Sequence, residues 1–90
     1  MNTKKNPGSM ISTKGFSIER VHRELLKYRT GTKSVTVVVE PGADLAVYLS
    51  CVTNWDSPNE SEEITEQELG LIRDNIRDGL KFLRIKHSFE

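Results

Sequence analysis

Thr65 and Glu68 mark a helix start that nothing else in the chain rivals. Three residues apart, they form the pair of a capping box, in which each side chain satisfies a free backbone amide of the first turn. Ile64 before the cap and Leu69 at the fourth helical position add a hydrophobic staple. From that boundary Leu69, Ile72, Ile76, Leu80 and Leu83 recur at helical spacing and make one apolar stripe. Glu66 and Glu68 in the first turn and Lys81 and Arg84 near the last suit the helix dipole. The pattern predicts a helix from about Glu66 to Leu83. Gly70 and Gly79 oppose it by up to about 1 kcal/mol each relative to alanine. Gly79 lies beside the stripe, where a close approach to a sheet explains it; Gly70 has no such account.

The sheet has to come from upstream. Ser34 to Glu40 is rich in β-branched residues, which suit a pleated surface, and Val35, Val37 and Val39 give it an inward face. Glu40-Pro41-Gly42-Ala43-Asp44 reads as a turn, and Leu45 to Val52 as the next strand, with apolar residues on both faces. Cys51 falls in that run and is expected to be a buried thiol; as the single cysteine it has no internal disulfide partner. At the end of the chain Leu83, Ile85, His87 and Phe89 alternate with Arg84, Lys86 and Ser88, a pattern for an edge strand with His87 in its apolar phase as a hydrogen-bonded, partly buried histidine.

Residues 17–29 fit two templates. Ile18, Val21, Leu25 and Tyr28 repeat as one face of a helix that Ser17 would cap. Leu25, Lys27 and Arg29 also alternate with Glu24, Leu26 and Tyr28, and Thr30-Gly31-Thr32 leads straight into the valine strand as a hairpin link does. A short N-terminal helix and a hairpin strand both remain open for 17–23, while 24–29 favour the strand. Residues 1–15 are polar, contain Pro7, Gly8 and Gly15, and read as a disordered leader before one domain over 16–90. The fold class expected is α+β, an antiparallel sheet of three or four strands packed by one long C-terminal helix.

Ninety residues with 36% apolar and 29% charged side chains suit one small domain with a modest core. No apolar stretch approaches the roughly 18 residues of a membrane helix, and no secretory h-region follows the N-terminus, so the cytoplasm is the expected compartment. The net charge of zero conceals an asymmetry: eight bases against two acids from Met1 to Val39, then ten acids against Arg73 and Arg77 from Glu40 to Asp78. If the two halves form separate faces, the molecule is a dipole that can pair with itself or with a charged partner. Catalytic templates fail in turn: there is no nucleophile elbow, phosphate loop, dinucleotide fingerprint, zinc-protease motif or paired cysteine. No enzyme activity, cofactor or metal is expected.

Two binding readings remain. The loop Thr53 to Glu63 carries Trp55, Asp56, Glu60, Glu62 and Glu63, an acidic face that can compete for a basic cleft on a protein partner such as a nuclease. Within it Trp55 is either a lid on the core or a partner-facing anchor. The alternative is a small homodimeric nucleic-acid binder using the basic half, with Arg20, Arg23, Lys27 and Lys33 beside Tyr28 tracking phosphates.

The stretch from about Leu25 to Phe82 resembles small immunity proteins of bacterial polymorphic toxin systems. The resemblance rests on Tyr28 and Gly31 before the valine strand, Val47-Tyr48, Trp55-Asp56 with Pro58, Glu62 ahead of Ile64, and the helix pattern Ile72, Asn75-Ile76, Leu80 and Phe82. Where such proteins place a glycine between helix and last strand, this chain has Leu83-Arg84. The resemblance implies a stoichiometric inhibitor that binds and blocks a cognate toxin without chemistry of its own.

Overall fold

Among the described residues seven strands and one α-helix make the fold, in the order β1 (Thr3–Asn6), β2 (Ser9–Ile11), β3 (Phe16–His22), β4 (Leu25–Thr30), β5 (Lys33–Glu40), β6 (Leu45–Val47), α1 (Glu66–Phe82) and β7 (His87–Phe89). The computed structural model describes residues 2–6 and 8–90. The strands lie in the sheet in sequence order, each antiparallel to the one before as far as β6, and β7 then joins β6 in parallel. A parallel neighbour needs a crossover, and α1 supplies it. The sheet curls at the end of β5: residues through Val38 pair with β4, while Val39 and Glu40 pair with β6.

The helix begins where the sequence places it. Thr65 accepts from the Glu68 amide at 3.1 Å and Glu68 accepts from the Thr65 amide at 3.0 Å, both halves of the capping box. Ile72, Ile76 and Leu80 of its stripe are buried against Ile18, Leu26, Val37 and the rest of one apolar core. Gly79 lets the helix come close: a Cβ there would lie 2.7 Å from Ile18 Cδ1 and 3.3 Å from Met10 Sδ. Gly31 turns the β4–β5 hairpin at φ +59°, a conformation open to glycine without steric cost.

Several expectations are corrected. The α+β class holds, but the sheet has seven strands rather than three or four. No helix forms over 17–23; β3 does, because β2 and β4 pair with it on both sides and bury Phe16 and Ile18 on one face. A helical stripe would also have buried Val21, which is 46% exposed. In the stretch expected to be a leader, residues 3–6 and 9–11 are strands. Met10 is completely buried there, whereas β1 shows all four residues to solvent and presents Lys4 and Lys5 on an outer strand, a composition that discourages further pairing. Pro7 of that stretch lies outside the described residues.

The strand expected over Leu45 to Val52 stops at Val47. Tyr48, at φ −90° and ψ 75°, turns the chain into a 3-10 turn over Leu49–Cys51. Leu49 is rotated into the core, and Cys51 is carried out to solvent instead of being buried. The last strand is shorter than its alternation suggests, since Leu83 caps α1 and pairing begins only at His87. His87 is half-buried with Nδ1 3.0 Å from the Ile85 carbonyl oxygen.

Candidate functional site

Between Val52 and the cap of α1 the chain runs along the side of β5 that β4 leaves free. Strand β6 pairs with that side only at Val39 and Glu40, so the outward backbone groups of Ser34 and Thr36 need other partners. Asp56 provides both. Its amide donates to the Ser34 carbonyl at 2.8 Å, and its Oδ1 accepts from the Thr36 amide at 3.2 Å. Oδ2 accepts from the Thr36 hydroxyl at 2.8 Å and from the Ser34 hydroxyl at 3.4 Å, with Lys27 Nζ at 3.8 Å. The carboxylate thus sits where the next strand's carbonyl would be. This pairing role lay beyond sequence reasoning, although the Trp-Asp-x-Pro spacing had marked the segment.

Trp55 beside it is 5% exposed and belongs to the core, so its indole is a lid and not an exposed ring. Lys33 Nζ lies 5.4 Å from the ring centroid and binds Glu62 Oε1 at 2.9 Å. Asn59 Nδ2 donates to the other Glu62 oxygen at 2.9 Å. The Lys33 bond, reinforced by Asn59, holds the Glu62 carboxyl below the ordinary carboxylate range, and the same bond raises the Lys33 ammonium above its usual value. Backbone bonds close the loop on itself: Asn59 to Asp56, Glu62 to Asn59, Trp55 to Glu62 and Ile64 to Thr53.

The sequence candidates therefore separate. Trp55 and Asp56 hold the loop, Glu62 locks it to Lys33, and Glu60 and Glu63 project into solvent, close in sequence to the exposed Glu66 of the first helical turn. The basic candidates do not gather into one track. Arg20 turns its guanidinium onto the Arg23 carbonyl at 2.6 and 3.2 Å, Arg23 is in the β3–β4 turn, and Lys27 and Lys33 face Asp56 and Glu62. Along the helix Glu66 and Glu68 lie in the first turn, Asp74 and Asp78 are paired with Arg77 and Lys14, and Lys81, Arg84 and Lys86 cluster at the end, about 25 Å from the start along 17 residues. Among the described residues no three His, Cys, Asp or Glu side chains are grouped to hold a metal, and no helix is long and apolar enough to cross a membrane.

A single helix crossing over a curled sheet of seven strands, six of them an antiparallel meander, with a hydrogen-bonded acidic loop leading into it, defines a small α+β domain whose distinctive surface is that loop. The chain belongs to the family Immunity protein 74, whose model matches residues 20–90. The match begins within β3 and leaves β1 and β2 outside it, although Met10 of β2 completes the core against Gly79. No curated protein and no solved structure matches the chain.

Proposed function

We propose that this domain is a non-catalytic inhibitor that binds a cognate toxin protein in the cytoplasm and blocks it, and that the contact is made through the loop carrying Asp56, Glu60, Glu62 and Glu63. Its membership of an immunity protein family across residues 20–90 carries the reading. The loop geometry supports the choice of face. Glu60 and Glu63 are exposed on a segment pinned by the Asp56 clamp and the buried Trp55, so little ordering entropy is lost when a basic surface docks on them. Trp55 acts from below as a positioning residue for the acids.

Affinity capture from the native host's lysate tests the proposal, with the tagged protein run at low and moderate salt, with and without nuclease. One protein recovered in near-equal amount, insensitive to nuclease and lost from the Glu60→Lys, Glu63→Lys variant, is the expected result. Recovery of nucleic acid instead, or a partner indifferent to that double variant, overturns it.

A further inference from the structure

At the end of α1 the backbone closes through two hydrogen bonds, from the Arg84 amide to the Lys81 carbonyl at 3.0 Å and from the Ile85 amide to the Leu80 carbonyl at 2.9 Å. The closure places Arg84 at φ +60°, the left-handed conformation that glycine ordinarily fills at this position. A residue with a Cβ is strained there. The Arg84 side chain adds nothing to the two backbone bonds that offset the strain, because it is exposed and makes no ion pair or hydrogen bond among the described residues.

The surroundings share its sign. Arg84 lines a hollow with Lys81, Lys86, His87 and Ile85, in which Asp44 is the one acid. Ile85 and Lys86 also line the adjoining hollow, which continues past Pro41 and Leu45 to Arg20. The two share Ile85 and Lys86 and so make one shallow groove, with Lys81, Arg84 and Lys86 grouped at the helix end of it and Ile85 and Leu45 as its apolar lining. Neither Lys81 nor Lys86 has a carboxylate partner among the described residues.

We infer that this groove is a second docking surface, shaped for an extended acidic segment of a partner protein whose carboxylates alternate with apolar side chains. Charge complementarity selects an anion, and the apolar floor selects a peptide over a phosphate chain. Asp44 repels consecutive phosphates but tolerates a segment with gaps between its charges. The one ring offered for stacking, His87, is already edge-on to Phe89 at 5.4 Å. A left-handed backbone at a side chain with no structural partner is the kind of outlier that marks a binding site. The inference stands apart from the toxin reading, because the acidic loop lies at the opposite end of the helix and is untouched by the test below.

The test is fluorescence anisotropy on the full chain at low salt, with a labelled peptide of alternating Glu and Leu, a matching Lys and Leu peptide, and a labelled oligothymidine. The wild type is expected to bind the acidic peptide and neither of the others comparably. Arg84→Gly should weaken that binding by about fivefold, the worth of one exposed charge pair. The same variant should raise the melting temperature, because glycine relieves the backbone, so unfolding cannot account for the loss. Arg73→Gln removes a like charge from the solvent face of the same helix and should leave binding unchanged. Unaltered affinity in Arg84→Gly, equal losses in both variants, or oligothymidine binding at least as tight as the acidic peptide would overturn the inference.

Discussion

The side-chain amide of Asn75 donates a 2.9 Å hydrogen bond to the Tyr28 hydroxyl, joining the middle of the helix to β4 across the core. Tyr28 is 1% exposed and stacks on Phe16 at 5.9 Å, so this bond satisfies the one polar atom of a ring otherwise sunk in apolar contacts. The two partners are not equivalent. Tyr28→Phe leaves a half-buried amide that can turn toward water and should cost about 1 kcal/mol, whereas Asn75→Ala strands a buried hydroxyl and should cost about 2 kcal/mol. Urea unfolding of both variants checks the order; equal costs would mean that water reaches the hydroxyl.

Gly70 and Gly79 share one helix and one propensity penalty, and they should respond oppositely to alanine. At Gly70 a Cβ meets nothing nearer than the flexible end of Arg73 at 4.0 Å, so Gly70→Ala should stabilise by up to about 1 kcal/mol. At Gly79 the contact with buried Ile18 sets an overpacking cost of about 1–3 kcal/mol against the same gain, leaving a net loss. Thermal melts of the two variants decide it.

Asp56→Ala removes the acceptor from the Thr36 amide and hydroxyl together and should destabilise by about 2 kcal/mol, the scale of hydrogen bonds to a charged group. Trp55→Ala empties part of the core and should cost about 3–5 kcal/mol, enough to unfold a marginal domain of this size. Circular dichroism with denaturant separates a weakened fold from a lost one. A Trp55→Ala protein of near wild-type stability would return the indole to the role of an anchor.

The Lys33–Glu62 pair should give the loop a defined pH window. Glu62 is shifted down chiefly by its bond to Lys33, so its contribution is complete above the ordinary value of 4.5 and is lost as pH falls through the lower folded value. Lys33 is shifted up by the same bond, so its contribution is complete below 10.5 and is lost as pH rises through the higher folded value. Both groups are solvent-accessible, and added salt should shrink the effect. Trp55, the only tryptophan, sits 5.4 Å from the Lys33 ammonium and reports on it. Its fluorescence should step below pH 4.5 in the wild type, and Glu62→Gln should abolish that step.

What was legible in the sequence was whatever depends on neighbours along the chain. Thr65 and Glu68 cap a helix whatever it packs on, and Gly79 could be assigned to a close approach because the stripe beside it must bury. The strands β1 and β2 depend on distant pairing: Ser9, Met10 and Ile11 carry no period of their own and become a strand only beside Ser17, Ile18 and Glu19. Residues 17–29 illustrate the same limit, since Ile18 and Tyr28 satisfy both periods, and the exposure of Val21, the burial of Leu26 in place of Leu25 and the pairing of β3 on both sides separate them only in the folded chain. In the acidic loop the charges of Glu60 and Glu63 could be read directly, but the inward turn of Trp55 and the strand-like role of the Asp56 carboxylate required β5 to be in place. Arg84 departed visibly from a glycine, yet its positive φ and missing partners are facts of the folded chain.

The Asp56 clamp also bears on how this protein fails. Val35 to Val39 is a run of β-branched residues with no charge, the composition that stacks into cross-β fibrils when its backbone is bare. In the native state one carboxylate and one amide occupy the open flank of that run at Ser34 and Thr36. Any process that lifts the loop, whether acid, a substitution or a partner that grips the loop too firmly, leaves a seeding template behind. Long-term solubility of the domain should therefore respond to how often residues 55 and 56 let go as well as to its overall unfolding equilibrium.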